Sequence, residues 1–463
     1  MDDLALAREL AARVARCGGR AYFVGGCVRD GLMGIESEDI DIEIHELAAE
    51  ALEAVLGELG EPLLMGRSFG VFGLKGANLD IALPRTERAT GLGHRDFSVS
   101  TDPMLGLEEA ASRRDFTINA MMRDVLSGEI IDPFGGQRDL ALGCIRHVSD
   151  RHFAEDPLRV LRAAQFAARF GFSVAPETVS LCRGIGLEHL ARERVMEELK
   201  KALLKGARPS VFFGTLKSMD QLQTWFPEIA RLENVPQNRK HHAEGDVWTH
   251  TMMVLDQAAM LRPRAAHPLY FMLSALLHDL GKLVATAMED GVWHAYGHET
   301  AGLPLTEAFL RRLTDEKKCL SMVLNHCRLH MKPGTLAHAG AAVKSTNRLF
   351  DSSLCPEDLI LLSLADGRGK IPPARSPEDE QFLFDRLAVY RRTMEQPQVT
   401  GDDLQEAGFA PGPDFTGILE YAHKLALAGM DRNTALSNTL GYARALRGGN
   451  AAGGDRNPDS EAD

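Results

Sequence analysis

Apolar and polar positions alternate with period two in several short runs of the first 145 residues. "RAYFVGG" (20–26), "EDIDIEI" (38–44), "FGVFGLKG" (69–76), "NLDIALP" (78–84) and "GEIIDPFGG" (128–136) read as strands punctuated by turns. Helical spacing takes over near 4–16, 46–58 and 115–123. One strand carries a charge pattern that folding does not explain. In it Ile40, Ile42 and Ile44 alternate with Asp39, Asp41 and Glu43, so the isoleucines face a core while three carboxylates share the opposite face. Like charges at that spacing repel. A bound divalent cation would turn the repulsion into a site.

Beyond about residue 150 the strand signal fades. "DPLRVLRAAQFAARFG" (156–171) repeats apolar residues at helical spacing, with Pro157 as a first helical residue and Gly171 as a stop. From there to about 445 the chain reads as helices joined by short loops, giving an α+β protein with a mixed-sheet head and an all-α remainder. The divisions expected are a head (1–145), a helical neck (146–210), a second catalytic module (211–370), a helical tail (371–445) and a disordered terminus (446–463) rich in Gly, Asp and Asn. No internal repeat is evident.

Composition narrows the class. At 463 residues, 44% of them hydrophobic, the chain can bury several cores. No apolar run approaches the ~20 residues of a membrane span. "MDDLALARELAARVARCGG" is an amphipathic helix with acidic residues, unlike a signal or transit peptide. The 7 cysteines form no C-x-x-C pair, so a reducing cytoplasm fits best. A net charge of −13 argues against binding nucleic acid by bulk electrostatics but leaves local basic faces open. The cation-rich stretch 191–208 is one such face, or simply a solvated one.

Two constellations carry chemistry. In the first, the strand ending at Gly25–Gly26 runs into a short helix through Arg29, an arrangement that lets backbone N–H groups approach an anion. Asp39 and Asp41 follow, and Asp80 supplies a carboxylate from another strand. Such acids can hold two Mg²⁺ ions that polarise a hydroxyl and clamp a triphosphate. Taken singly these features also read as a tight turn and a charged edge strand.

In order, "GGCVRD", "EDIDIEI", "GRSFGVFGL", "LDIALPRTE", "RRDFTINAM", "DPFGGQRDL" and "EDPLRVLRAAQFAARFGF" resemble the motifs of the class II tRNA nucleotidyltransferase and bacterial poly(A) polymerase family, of the polymerase β-like superfamily, over residues 20–205. The resemblance implies catalytic metals at Asp39 and Asp41 with Asp80 beside them, and triphosphate contacts from Gly25, Gly26 and Arg29. It implies a nucleotide pocket shaped by Arg114, Asp115, Asn119 and Arg162, and base recognition by Asp156 and Arg159. Glu43 stands where a hydrophobic residue is expected, and Gln165 where the family often has arginine. A carboxylate beside a guanidinium pairs with the amino donor and ring acceptor of cytosine or adenine and leaves guanine and uracil unsatisfied. Asp156, just before Pro157, reads equally as a helix N-cap, and one oxygen suffices for capping. Asp115 has the same alternative, and Arg113 and Arg114 that of solvated cations.

The second constellation spans "HHAEGDVWTHTMMVL", "SALLHDLGK", "HAYGHETAG", "NHCRLH" and "LLSLADGRGK". Imidazoles and carboxylates on separate helices suit a transition metal. The pattern resembles the HD-domain phosphohydrolases over 240–370, which implies metal ligands at His250, His278, Asp279 and Asp366, further ligands at His298 and His326 in a two-metal site, and Lys282 near a phosphate. Gly281 reads as a helix stop, and His241, His242, His294 and His330 as surface or supporting residues.

Head and HD module together resemble the bifunctional bacterial CCA-adding proteins, to whose helical C-terminal region the tail is also similar. The resemblance implies CTP, ATP and tRNA as partners, Mg²⁺ in the head, and Ni²⁺, Mn²⁺, Co²⁺, Fe or Mg²⁺ in the HD module, whose activity would be that of a 2′,3′-cyclic phosphodiesterase, 2′-nucleotidase and phosphatase. Monomer and homodimer are both open. The alternatives are an enzyme adding only CC, only A or poly(A), the last disfavoured by the lack of a basic run in "GRSFGVF", and an HD phosphohydrolase with a non-catalytic RNA-binding head.

Overall fold

In the computed structural model the chain is an α+β protein, described over residues 2–37, 39–66, 70–89, 97–396 and 398–451. It divides into two compact units, Met1–Arg231 with Phe309–Thr314, and Leu232–Ala308 with Asp315–Asp463.

The first unit contains the head. Its strands are β1 (Arg20–Val24), β2 (Ile40–His45), β3 (Pro62–Gly66), β4 (Val71–Leu74), β5 (Leu79–Ala82), β6 (Arg85–Ala89), β7 (Phe97–Thr101), β8 (Met122–Asp124) and β9 (Ile130–Ile131). A seven-stranded sheet runs in the order β3-β4-β5-β2-β1-β8-β9, and β6 and β7 form a separate ladder. β2 lies centrally, antiparallel to β1 and parallel to β5. Ile42 and Ile44 enter the core with Leu79 and Ile81 of β5 and with Leu10 and Val14 of the helix Asp3–Arg16, as the alternation predicts. The helix Ala49–Leu59 adds Leu52, Val55 and Leu56 to the same core.

The helix expected over 115–123 does not form. Residues Thr117–Asn119 make a single 3₁₀ turn and the chain then enters β8, which pairs with β1. The edge position beside β1 supplies a backbone ladder that outweighs the helical spacing of this segment. Further on, the helix Leu158–Phe170 ends at Gly171 in the left-handed conformation (φ 70°), as expected. It packs against the helix Arg192–Lys205. On that second helix Lys200 and Lys201 pair with Glu197 and Glu198 at 2.8 Å, so part of the cationic stretch is a self-neutralised face.

The second unit is helical apart from a small hairpin formed by Ala287–Glu289 and Val292–His294. The helices Val247–Leu261, Pro268–Leu277, Lys317–Leu329 and Pro356–Arg368 pack together and present polar groups to a buried centre. The terminus expected to be disordered from 446 is helical to Ala451, and residues 452–463 lie outside the described ones. Part of the "GRSFGVF" stretch, residues 67–69, and Glu38 also lie outside them. No helix among the described residues is long and apolar enough to cross a membrane.

Candidate active sites in the head and the HD domain

In the head, parallel pairing of β2 with β5 puts Asp41 opposite Asp80, so two carboxylates from adjacent strands share one sheet face. Exposed Asp39 lies just before β2. Burial raises the pKa of Asp41, the charges of Asp80 and Asp39 push it the same way, and Arg114 opposes them. Gly25 closes β1 with φ 68°, and a Cβ there would come within 3.3 Å of Arg114 Nη1 and 3.5 Å of Asp41 Oδ2. The left-handed backbone favours glycine here, and a Cβ would press only on the flexible end of Arg114.

Glu43, grouped with these acids by the alternation, is claimed by neighbours. Its Oε2 accepts from Arg114 Nη2 at 3.0 Å and its Oε1 lies 2.8 Å from His45 Nε2. Burial would raise its pKa, but His45 and Arg114 outweigh that and hold it low. The face of β2 thus divides into two acids left toward the site and one neutralised beside it.

Arg29 is only 3% exposed. It bonds Asp30 at 2.7 Å and donates to Asn119 Oδ1 at 2.6 Å, with its guanidinium over the rings of Phe166 and Phe170. Asp115 is also buried: Oδ1 accepts from Phe116 N–H and Asn119 Nδ2, and Oδ2 from Arg162 Nε at 2.7 Å. Arg29, Asn119, Asp115 and Arg162 are thereby one continuous network.

Asp156 and Arg159 do not bond each other through their side chains. Asp156 Oδ1 caps the helix through Leu158 N–H at 3.1 Å, and Oδ2 accepts from Arg194 Nη2 at 2.9 Å. Arg159 donates to the carbonyls of His152 and Arg113, each at 2.7 Å. Arg194, which sequence reasoning left in a cationic face, is the cation that Asp156 holds. Gln165 is 2% exposed and its Nε2 has no partner among the described residues.

In the second unit, helix ends deliver imidazoles to one buried point. His278 Nδ1 faces the carbonyl of Ala275 at 2.9 Å, His298 Nδ1 that of Ala295 at 2.8 Å, and His330 Nδ1 that of Cys327 at 2.6 Å. His250 Nδ1 instead meets Glu244 Oε1 at 3.0 Å. Anchoring Nδ1 turns each Nε2 inward. Asp279 Oδ2 lies 3.2 Å from His278 Nε2 and 3.5 Å from His250 Nε2, and Oδ1 lies 3.2 Å from His298 Nε2 and 3.8 Å from His330 Nε2. Asp366 Oδ1 completes the group 3.2 Å from His250 Nε2.

Metal ligands fit this arrangement. The Nε2 atoms of His250 and His278 are buried and close to carboxylates but make no aligned hydrogen bond, nor does His250 Nδ1, while the Nε2 atoms of His298 and His330 face each other at 3.3 Å. The potential ligand atoms of His250, His278 and Asp279, and of Asp279, His298 and His330, lie within 4.8 Å of one another. Imidazoles anchored at one nitrogen and unsatisfied at the other are the geometry of metal ligation. Burial would raise the pKa of Asp279, yet His278 and Lys282 hold it well below the ordinary carboxylate value; Asp366 is likewise held low, chiefly by Lys370 and His250. Lys282 Nζ lies 2.7 Å from both Asp279 Oδ2 and Gln237 Oε1, and Lys370 Nζ 3.1 Å from Asp366 Oδ1.

His326 is not in this group, a correction to the sequence expectation. Its Nδ1 faces Ser274 Oγ at 3.1 Å, and burial lowers its pKa to about 4. His330 takes the place expected of it. Both are buried and lie four residues apart at the end of the helix Lys317–Leu329, and only the turn into Met331–His338 directs His330 to the centre. His242 supports Glu244 at 2.7 Å, while His294 borders the cavity above the centre. Gly281 does not stop the chain. It is right-handed helical (φ −65°) and leads into Lys282–Ala285. A Cβ on it would strike the carbonyl of His298, and one on Gly302 would come within 2.8 Å of Gly281 Cα. These glycines let the segment bearing His298 close onto the one bearing Asp279.

Comparison with known proteins finds a family match over each of the two regions. The profile "Poly A polymerase head domain" matches residues 21–146, and "HD domain" matches 247–367. The multifunctional CCA protein of Cupriavidus metallidurans is 40% identical over 388 residues, 80% of this chain and 90% of the relative. This chain belongs to the multifunctional CCA protein family. Within that family, the Alkalilimnicola ehrlichii protein is 36% identical over 432 residues, covering 89% of this chain and 98% of its own. Among solved structures, the Bacillus stearothermophilus CCA-adding enzyme in complex with CTP gives a TM-score of 0.68 at 21% identity, covering 97% of this chain and 100% of its own. The Thermotoga maritima CCA-adding enzyme complexed with tRNA gives 0.64 at 22%, covering 95% of each chain. These structures share the fold. In this chain the head precedes the HD domain.

Proposed function

We propose that the chain adds CCA to tRNA 3′ ends from CTP and ATP without a template, and that its HD domain hydrolyses phosphate esters at RNA ends or on nucleotides. The parallel register that pairs Asp41 with Asp80 beside the Gly25 turn carries the first part. Asp39 and Asp41 hold Mg²⁺, which when bound supplies charge stabilisation to the attacking and leaving oxygens. The RNA 3′-hydroxyl attacks the α-phosphorus in line, pyrophosphate leaves, and Asp80 receives the hydroxyl proton. Gly25 and Gly26 admit the triphosphate next to Arg114. Asp115, Asn119, Arg29 and Arg162 act as a rigid wall, because their polar groups are already spent on one another. Asp156 and Arg159 read the base by exchanging Arg194 and two carbonyls for its Watson–Crick edge.

In the HD domain His250, His278, Asp279 and Asp366 would hold a metal ion, with His298 and His330 beside Asp279 able to hold a second, and such ions would supply Lewis-acid activation of a phosphate ester. Manganese, iron, cobalt and nickel all suit this donor set. Lys282 and Lys370 neutralise the carboxylates and stand ready for the substrate's phosphate. Removing terminal phosphate restores the hydroxyl that addition requires, which gives the two activities one purpose in a cytoplasmic protein. Incubation of tRNA lacking its terminus with Mg²⁺ and each labelled nucleotide tests the reading. Growth by CCA is expected; partial growth or homopolymer identifies one of the alternatives.

A further inference from the structure

A cavity of about 510 Å³ opens above the HD centre, and its lining joins two kinds of chemistry. Asp279, Asp366, Lys282 and Lys370 supply the charged part. The hairpin Ala287–Glu289/Val292–His294 and the residues after it supply the rest, through Trp293, His294 and Tyr296. The ring of Tyr296 lies on that of His294, with centroids 4.8 Å apart and planes 16° from parallel, yet Tyr296 is 72% exposed. One face of the tyrosine is fixed and the residue still opens widely to solvent.

The chain ties this aromatic pair to the centre. Ala295 stands between the two rings in sequence, and its carbonyl anchors His298 Nδ1 at 2.8 Å. Only Gly297 separates Tyr296 from His298, a span of at most about 7 Å between Cα atoms. Lys282, Lys370, His294 and Tyr296 line one cavity, so a ligand held there meets both the cations and the rings. Aromatic faces backed by a second ring are low-entropy stacking surfaces for a nucleobase. A lone exposed tyrosine would mean little; one pre-stacked, lining a phosphate-binding cavity and held on the loop of a centre residue is differently placed.

We infer that His294 and Tyr296 form a stacking platform that reads the base of a phosphate ester bound at the HD centre. The inference rests on the hydrolase reading above and adds the residues that select for a base. Trp293 borders the same space, and its half-buried position makes it the wall from which the platform projects.

Phosphate release from adenosine 2′-phosphate, from a short RNA ending in a 2′-phosphate and from glycerol 2-phosphate, which has no base, tests the inference in the full-length protein. In Tyr296→Ala the ratio of kcat/KM for each base-bearing substrate to that for glycerol 2-phosphate should fall roughly 5- to 100-fold, the range that base–aromatic stacking provides. Tyr296→Phe should restore the ratio, since the face and not the hydroxyl stacks. The larger fall of the two base-bearing substrates identifies free nucleotide or RNA end as the source. An unchanged ratio overturns the platform while leaving the hydrolase intact. Absence of phosphate release from all three substrates in the unaltered, metal-supplied protein instead overturns the hydrolase reading and the platform with it.

Discussion

The head and the HD domain both gather acids around a place for cations, but they assemble them in opposite ways. In the head the acids come from neighbouring strands, and register alone brings Asp41 to Asp80. In the HD domain the groups come from helix ends scattered between His250 and Asp366, and each imidazole is turned inward by a carbonyl or carboxylate behind it. The head leaves its acids half-buried or exposed, with Asp41's proton affinity raised. The HD centre is buried, and surrounding cations hold its acids ionised. An open site suits a nucleotide that must come and go with its metal. A buried, pre-ionised one suits a resident ion.

The sharpest way to break the comparison is to remove each acid set separately. The double change Asp39→Ala with Asp41→Ala should cut CMP and AMP incorporation by at least about 10³-fold, while phosphate release by the HD domain persists. Asp279→Asn should do the reverse. Loss of both activities in either variant would mean that the centres are not independent.

Next in size is the contrast between two histidines one turn apart. His330→Ala should weaken metal retention by at least about tenfold, read by elemental analysis after dialysis. His326→Ala should keep the metal and cost stability instead, by about 1–3 kcal/mol in denaturant unfolding. The opposite pattern would restore the assignment expected from sequence.

Asp115 tests whether the head's wall is rigid. Its pKa is lowered because the Arg162 charge, with hydrogen bonds from Asn119 and Arg162, overcomes burial. A depressed carboxylate contributes stability that is complete above its unfolded value near 3.8 and lost as pH falls through the lower folded value. Asp115→Asn should therefore cost about 2–4 kcal/mol at neutral pH and flatten the acid limb of the stability curve. The smallest effect is expected of Glu43→Gln. Because Glu43 serves Arg114 and His45, incorporation should fall less than about tenfold and the Mg²⁺ midpoint should stay in place. A shifted midpoint would return Glu43 to the metal site.

Legibility in the sequence follows the same divide. Alternation in 38–44 and the apolar run 79–83 identify β2 and β5 and the faces of Ile42, Ile44 and Asp41, since period two is a local property. What alternation leaves open is the partner across space: Arg114, which reaches Glu43 from 71 residues away, is invisible to it. Spacing likewise finds His278–Asp279 but cannot choose between His326 and His330, whose difference lies in the turn between two helices. The segment 115–123 misleads because its apolar spacing is helical, while the vacant edge of β1 decides its conformation. Asp156 shows a third case, where the cap read from the sequence is present and Arg194 takes the other oxygen.

Bare backbone at Gly281 and Gly302 acts as a gauge that sets how far apart the two halves of the HD centre stand. Adding one methyl group there would lever His298 away from Asp279 and leave His250, His278 and Asp366 assembled. On the proposed two-ion reading, such a protein keeps one ion position and loses its neighbour through a single carbon placed outside any ligand.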